Sequence, residues 1–291
     1  MNVIKLRAYA KINLGLDVVG KREDGYHEVR MIMQTINLYD QISMKKISDS
    51  GIYLKTNLHY LPVNEKNLVY RAAKLLKDEF NIKHGVDIKL DKRIPVAAGM
   101  AGGSSDAAAA LVGMNKLFNL GLSKKELMER GVKLGADVPY CILRGTALSE
   151  GIGEILTPLA PAPECYVLIA KPGINVSTKF VYGNLNITEI KEHPDIDGMI
   201  DNISNGDLYG LTNKLGNVLE TVTIKEHPVI DTIKQEMIKY GALGSIMSGS
   251  GPTVFGLFDN KKKAQEAFYH MKGLDIAKQV HLTDFFNQKR G

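Results

Sequence analysis

Apolar and polar residues alternate with a period of two along the first 47 residues, which is the pattern of half-buried β-strands. One such stretch places four apolar side chains on a single face: Ile12, Leu14, Leu16 and Val18. A second stretch, 31–38, follows a polar turn at residues 23–25. The pattern therefore predicts antiparallel strands at this end of the chain.

Helical spacing replaces the alternation further along. Apolar residues at intervals of three and four predict a helix that Asn64 caps and that ends near residue 80. A strand over 86–94 follows, and an alanine-rich run over 107–118 predicts a second helix. Three polar residues are expected in its N-cap and first turn: Ser104, Ser105 and Asp106. A capping box of Ser123 and Glu126 predicts a third helix, to about residue 133.

The stretch "TPLAPAPE" at 157–164 holds three prolines and predicts a boundary between two domains, 1–159 and 160–291. After a polar segment around 186–206, the pattern predicts three helices, two strands that flank "SGSGP" and a last strand. The helices are expected near 207–222, 228–240 and 260–272. This alternation is typical of an α+β fold.

Composition narrows the class of protein. With 44% hydrophobic and 24% charged residues, the chain has enough apolar material for two cores, and no stretch approaches the roughly 18 apolar residues of a membrane span. No signal peptide is recognised, so we expect a cytoplasmic protein with no membrane partner. The two cysteines lack zinc spacing. The net charge of +5 is dispersed, which fits a polyanionic small molecule as well as a nucleic acid.

The segment "PVAAGMAGGSSDAAAA" at 95–110 combines glycines, serines and a helix start. Exposed N–H groups at a helix N-terminus bind anions, and glycines let the backbone approach phosphate oxygens closely. A tight strand-to-helix turn would use the same residues. The segment has neither the Gly-Lys-Ser/Thr of a Walker A loop nor the GxGxxG of dinucleotide folds, and protein-kinase HRD and DFG motifs are absent. A different nucleotide loop is indicated.

This segment resembles the phosphate loop of the GHMP kinases. Two further stretches resemble the family's other motifs, "AYAKINLGLDVVGKREDGYHEVR" near the N-terminus and "IMSGSGPTVFGLF" at 246–258. The resemblance implies a two-domain α+β kinase with its active site in the interdomain cleft, an N-terminal ATP-binding domain and a C-terminal substrate-binding domain. It implies transfer of a phosphoryl group from ATP to an alcohol.

Two residues carry the catalytic expectation. Lys11 on a strand and Asp137 in "LGADVPYC" would, without the resemblance, read as an outward-facing lysine and a turn cap. In the family the aspartate is the catalytic carboxylate, paired with the motif lysine. The resemblance therefore assigns Asp137 as the base for the acceptor hydroxyl and Lys11 as the neighbouring positive charge. It assigns Asn13 to the acceptor's hydroxyl groups.

Within the family, "GYHE" and "LGADVPYC" resemble the members that act on a cytidine diphosphate substrate. Tyr26 and His27, each an ordinary surface residue on its own, become a stacking face and a hydrogen-bonding group for cytosine. A second aromatic residue follows "KPG"; Tyr182 has the corresponding spacing, and Phe180 is its rival. Gly249 would allow close approach to the substrate.

The resemblance assigns Asn67, Leu68, Val69 and Lys92 to ATP binding. For the first three, helix capping and core packing are equally good explanations. The loop residues assigned to the nucleotide are Pro95, Val96, Ala97, Ala98, Gly99, Met100, Ala101, Gly102, Gly103, Ser104 and Ser105. No acidic cluster resembles a metal cage, so Mg²⁺ is expected to arrive with ATP and no protein metal ligand is predicted.

The chain departs from the family pattern in the loop. Met100 replaces a leucine, Ala97 and Ala98 replace glycines, and Asp106 stands where many members carry asparagine. The alanines restrict the backbone before Gly99, and the carboxylate adds negative charge near phosphates. Two alternatives remain: a GHMP kinase for another alcohol, and an RNA-binding module, which would need a clustered basic face. We expect a small-molecule partner and no nucleic acid; the oligomeric state is open.

Overall fold

The computed structural model describes residues 3–287. Its elements, in chain order, are β1 (Val3–Lys21), β2 (His27–Ile47), β3 (Ile52–Thr56), α1 (Leu68–Glu79), β4 (Gly85–Asp91), α2 (Gly102–Phe118), α3 (Lys124–Val132), α4 (Asp137–Leu143), β5 (Thr146–Gly151), β6 (Ile155–Pro158), β7 (Tyr166–Lys171), α5 (Thr178–Gly183), α6 (Ile196–Asn205), α7 (Leu208–Thr212), β8 (Gly216–Asn217), α8 (Glu220–Glu226), α9 (Val229–Lys239), β9 (Gly244–Met247), β10 (Val254–Phe258), α10 (Lys261–Gly273) and β11 (Gln279–Asp284). This mixture of helices and sheets confirms the predicted α+β class.

The chain forms two compact units. Unit 1 comprises the residues up to 10 together with 38–96 and 101–143, and unit 2 comprises 11–37, 97–100 and 144 onward. The long strands β1 and β2 therefore contribute to both units. Whether 1–159 and 160–291 are the functional domains stays a prediction.

Unit 1 is a helix-covered sheet. Strand β4 pairs antiparallel with the second half of β2, from Gln41↔Asp91 to Ile47↔Gly85, and parallel with β3. Helix α1 supplies the crossover that two parallel strands need. Helices α1, α2 and α4 pack in sequence, α1 on α2 and α2 on α4. The small side chains of α2 allow close packing, because Met44 Sδ lies only 2.2 Å from where a Cβ on Gly113 would stand.

Unit 2 contains a four-stranded antiparallel sheet in the order β11-β7-β10-β9, with α9 and α10 packed against it. Its core includes Phe255 and Phe258, both fully buried. Strand β5 pairs antiparallel with residues 29–34 of β2, and β8 pairs parallel with β1 through Gly15↔Gly216 and Leu16↔Asn217.

Most predicted helices are confirmed, but three boundaries are wrong. Helix α1 begins after Asn67, whose side chain accepts from Val69 N, whereas Asn64 accepts from Lys66 N in the preceding turn. The predicted helix 207–222 is two helices, α7 and α8, with β8 between them, because β8 joins β1. The polar segment before it contains α6, which sequence reasoning missed.

The third boundary concerns the phosphate loop. Helix α2 begins at Gly102, so Ser104, Ser105 and Asp106 lie inside its first turns and do not cap it. Ala101 is the N-cap residue, has a left-handed φ of 52°, and offers no side-chain hydrogen bond. The capping box of Ser123 and Glu126 is confirmed, with both of its hydrogen bonds formed.

Candidate functional site

The start of α2 in unit 1 has the features of an anion site. Since Ala101 gives no side-chain cap, the N–H groups of the first helical turn receive no side-chain acceptor. Ser104 is half-buried, and its hydroxyl makes no hydrogen bond with the described residues of unit 1. Ser105 is buried and donates to the carbonyl of Tyr9 at 2.6 Å, so its hydroxyl proton is already used. The free hydroxyl and the uncapped N–H groups lie within one turn of each other.

A buried charge cluster lies behind this helix start. The ammonium of Lys92 contacts the carboxylates of Asp40 and Asp106, the latter at 2.7 Å, and all three side chains are at most 5% exposed. Asp40 also accepts from the backbone N–H of Arg93 and Ile94. Lys92 Nζ lies 3.2 Å from where a Cβ on Gly102 would stand. Lys92 thus supports the loop from behind, and a phosphate would have to compete with two carboxylates for its ammonium.

The cluster shifts the pKa values of Asp106 and Lys92. Burial raises the pKa of Asp106 well above its usual range, and the nearby Asp40 adds to this, while Lys92 opposes it. Burial lowers the pKa of Lys92, but the attraction of Asp106 and Asp40 outweighs burial and leaves that pKa raised. One oxygen of Asp106, Oδ1, is buried without a hydrogen-bond partner among the described residues. The negative charge of Asp106 behind the helix start is therefore partly neutralised by a proton or by Lys92.

The three residues assigned to adenine have structural roles in unit 1. Asn67 caps α1 and donates to the carbonyl of Pro62 at 2.8 Å, so both ends of its amide are occupied. Val69 is fully buried. Leu68 lies beside the phosphate loop, with Cδ1 3.6 Å from where a Cβ on Gly103 would stand. Of the three, Leu68 is the side chain best placed to reach a nucleotide; the contacts of all three stay predictions.

Asp137 is the first residue of α4 in unit 1. It is half-buried, and its carboxylate accepts no hydrogen bond from the described residues of that unit. The preceding turn lies close to the phosphate loop, because a Cβ on Gly135 would stand 4.0 Å from Ser104 Oγ. An unpaired carboxylate near a candidate phosphate site suits a general base.

In unit 2, the loop residues 97–100 pack against the glycine-rich stretch 248–251. Ser248 Oγ donates to Gly99 O at 3.0 Å, and a Cβ on Gly99 would stand only 2.1 Å from Ser248 O. Ala97 has a left-handed φ of 50°, a conformation that glycine adopts without strain and alanine does not. Two of the predicted motifs thus meet backbone to backbone.

Lys11 and Asn13 lie beside these loops. Lys11 is 5% exposed, its N–H donates to Met100 O at 3.2 Å, and its ammonium donates to Asn13 Oδ1 at 2.7 Å. The same Asn13 oxygen lies 3.5 Å from where a Cβ on Gly249 would stand. Within unit 2, no described carboxylate forms an ion pair with Lys11. A buried ammonium with only an amide partner is available to a negative charge on a substrate.

Two of the three candidate cytosine-binding residues contact each other in unit 2. The rings of His27 and Tyr182 have centroids 5.2 Å apart and are tilted by 42°. Burial lowers the pKa of His27, and Lys21 lowers it further, so both effects favour the neutral ring. Tyr26 is 60% exposed. Phe180 instead lines a groove with Thr223, Glu226 and His227. Which of the two rings stacks on a base stays a prediction.

Sequence reasoning missed two polar residues. Asp40 binds Lys92, and Asn217 donates to two carbonyl oxygens of the 246–251 region. Asp40 sits at a buried position of β2, where a charged residue signals a partner. Asn217 was hidden inside a predicted helix.

The described residues contain no group of three or more His, Cys, Asp and Glu side chains that could hold a metal ion. In the same part of the chain, no helix has the length and apolar character to cross a membrane.

Family models match both halves of the chain: the GHMP kinases N terminal domain matches residues 67–145, and the GHMP kinases C terminal domain matches residues 199–273. A relative from Lachnoclostridium phytofermentans, named 4-diphosphocytidyl-2-C-methyl-D-erythritol kinase, is 62% identical over 99% of both chains. A relative of the same name from Lachnospira eligens is 56% identical over 98% of this chain and 99% of its own. A crystal structure of 4-(cytidine 5'-diphospho)-2C-methyl-D-erythritol kinase superposes with a TM-score of 0.85 at 30% identity, covering 98% of this chain and all of the other.

Proposed function

Because this chain belongs to the GHMP kinase family, we propose that it transfers the γ-phosphoryl group of ATP to the 2-hydroxyl of 4-diphosphocytidyl-2-C-methyl-D-erythritol, a step of non-mevalonate isoprenoid precursor synthesis. The chain is a small-molecule kinase. The identity of 62% to a relative of that name carries the choice of acceptor. The contact of His27 with Tyr182 supports it, since an acceptor without a base needs no such pair.

The phosphate end of ATP is assigned to the start of α2. Its uncapped N–H groups bind phosphate oxygens, and the glycines at 99, 102 and 103 let the backbone approach them. The hydroxyl of Ser104 is the group of this chain that fits a bound Mg²⁺ ion or a phosphate oxygen, because it lacks another partner in unit 1. When bound with ATP, Mg²⁺ supplies positive charge that offsets the charge of the transferring group.

The acceptor hydroxyl is assigned to Asp137, Lys11 and Asn13. Asp137 takes the hydroxyl proton as the oxygen attacks phosphorus, since its carboxylate has no competing hydrogen bond in its unit. The Lys11 ammonium stabilises the negative charge that develops on the reacting oxygen. Asn13, which holds that ammonium at 2.7 Å, orients it and binds the acceptor's hydroxyl groups. The joint action of Lys11 and Asp137 is inferred from the family resemblance.

The cytosine end is assigned to Tyr26, His27 and Tyr182. The exposed ring of Tyr26 and the half-buried ring of Tyr182 offer stacking faces, typically worth about 1–3 kcal/mol per base. The neutral His27 ring has one donor and one acceptor nitrogen for the base edge. Gly249 gives the substrate close access to the loop beside Asn13.

The testing experiment is ADP release with ATP and Mg²⁺ across a panel of acceptors: the cytidylated methylerythritol, free methylerythritol phosphate, homoserine, mevalonate and phosphomevalonate. Turnover of the cytidylated alcohol alone supports the proposal. Turnover of another acceptor would keep the kinase assignment and refute the cytosine site. Folded protein that is silent with every acceptor would refute the proposed reaction and favour a binding module, which RNA titration would then examine.

We further propose that residues 1–159 carry the nucleotide-binding part and 160–291 the remaining substrate contacts, and that the enzyme works in the cytoplasm, where ATP is supplied. Slower hydrogen–deuterium exchange on addition of ATP in peptides of 1–159, with no change in peptides of 160–291, would support this division.

A further inference from the structure

The glycine-rich stretch 248–251 is held by two side chains from one short segment of unit 2. Asn217 donates from its single amide nitrogen to Met247 O and to Gly249 O, both at 2.8 Å. Glu220 accepts from the backbone N–H of Met247 at 2.7 Å and binds Lys234 with its other oxygen at 2.5 Å. We call this pair the Asn217–Glu220 clamp.

The clamp is itself fixed. Asn217 pairs with Leu16 of β1, the strand that carries Lys11 and Asn13, and its side-chain oxygen accepts from Leu219 N at 3.0 Å. The side chain is 7% exposed, so its three hydrogen bonds form away from water. A buried amide with all its groups satisfied holds one rotamer.

The clamp sets the orientation of the peptide groups around Ser248. The carbonyls of Met247 and Gly249 both turn toward Asn217, and in a trans peptide the N–H of the next residue points the opposite way. The N–H of Ser248 accordingly donates to Thr253 O at 2.8 Å. The N–H of Ser250 points away from Asn217 and makes no hydrogen bond with the described residues of unit 2. This arrangement also brings Ser248 onto Gly99 and Gly249 beside Asn13.

We propose that Asn217 is a positioning residue for phosphoryl transfer: it fixes the 248–251 loop so that Gly249 lies against the acceptor-binding Asn13 and Ser248 braces Gly99 of the phosphate loop. The inference rests on the proposed function for the reaction that the loop serves. Asn217 touches neither reactant; it acts through the loop.

The test compares Asn217→Leu, which keeps the branched side-chain shape but removes both N–H donors and the acceptor oxygen, with Asn115→Leu. Asn115, which is half-buried, makes a similar two-bond contact with the backbone of Leu122, between α2 and α3, so it controls for loss of an amide that is bonded to backbone. Asn217→Ser, which keeps one donor, carries the test if the leucine variant does not fold. Hydrogen–deuterium exchange of the 246–258 peptide is measured with kcat and KM per folded enzyme.

The N–H of Gly251 donates to Ser248 O at 3.0 Å within the same loop, so its exchange reports on the loop. We expect at least tenfold faster exchange at this N–H in Asn217→Leu and no change there in Asn115→Leu. A displacement near 1 Å costs about 100-fold in rate, so kcat should fall 10- to 100-fold while KM for the acceptor changes less than threefold. Asn217→Ser should lie between. Unchanged loop exchange, or equal kcat in the two leucine variants, would overturn the inference.

The activity of the wild-type enzyme tests the proposed function independently of the Asn217 variants. Wild-type enzyme that does not turn over the cytidylated acceptor would refute the function. The exchange comparison would then decide on its own whether Asn217 holds the loop.

Discussion

The contact between Gly99 and Ser248 gives a quantitative prediction for Gly99→Ala. Gly99 has a φ of +70°, which costs an alanine about 1–2 kcal/mol. Its Cβ would also stand 2.1 Å from Ser248 O, whereas contacts under 3.0 Å essentially never occur. One of the two backbones must therefore move by about 1 Å.

That movement should appear in the rate. Misplacement by 1 Å in a positioned site costs about 100-fold, or about 2.7 kcal/mol of transition-state stabilisation. We therefore expect kcat/KM for Gly99→Ala to fall about 100-fold, in addition to the stability lost through φ.

Gly121→Ala is the matched control. Gly121 also has a left-handed φ, +74°, but nothing lies within 4 Å of the added Cβ. This variant should lose about 1 kcal/mol of unfolding free energy, lower Tm by about 2–4 °C and keep its kcat/KM. Thermal unfolding and steady-state ADP release measure both quantities on both proteins. If Gly99→Ala matches Gly121→Ala in Tm and stays within threefold of wild-type kcat/KM, the backbone contact that we describe is refuted.

Three further predictions test single side chains. Asp137→Asn should lower kcat by about 10²–10⁴-fold and leave ATP affinity by calorimetry within threefold; more than a tenth of wild-type turnover would remove Asp137 as the base. Tyr182→Ala should raise KM for the cytidylated acceptor about tenfold, with Phe180→Ala within twofold, and the reverse order would move the stacking role to Phe180. The pKa of Asp106 is raised in the folded state, so the folded protein binds more protons than the unfolded chain. The free energy of unfolding of the wild-type protein should therefore fall as the pH rises from about 4 through the folded pKa. The fall is at most about 1.4 kcal/mol per pH unit. Urea unfolding of Asp106→Asn should lack this fall, and parallel profiles for the two proteins would show that Asp106 is ionised throughout.

Elements whose signals are local could be predicted from the sequence. The capping box of Ser123 and Glu126 closes on itself within four residues, so its geometry is set by the chain segment alone. The start of α1 shows the limit of prediction from local sequence. Asn64 and Asn67 are equally good caps by residue type, and Asn67 is the cap because its amide also binds Pro62 O. The local pattern of apolar residues predicts the helix, but a hydrogen bond to a residue five positions earlier determines where the helix begins.

Elements set by distant partners could not be predicted. The run 207–222 has a helical composition, yet Gly216 and Asn217 leave the helix because they pair with Gly15 and Leu16 of β1. That pairing places the amide of Asn217 at the 248–251 loop. The pairing with β1 therefore gives Asn217 its inferred positioning role, and because that pairing is long-range, the local sequence does not reveal the role.

The substitution at Asp106 shows why a motif assigns a site more reliably than it assigns each residue's part in it. From sequence, a carboxylate in the phosphate loop is a repulsive charge that the helix dipole or Mg²⁺ must offset. In the structure, Lys92 lies 14 residues before Asp106 and 52 residues after Asp40, and it brings both carboxylates together beneath the loop. The lysine that the motif would assign to ATP thus compensates the aspartate, and under the proposed function the positive charge for phosphate comes from the helix start. A chain with asparagine at 106 would leave Lys92 with one carboxylate fewer, so under the proposed function we expect the residue at 106 to set how much of the Lys92 charge is available to phosphate.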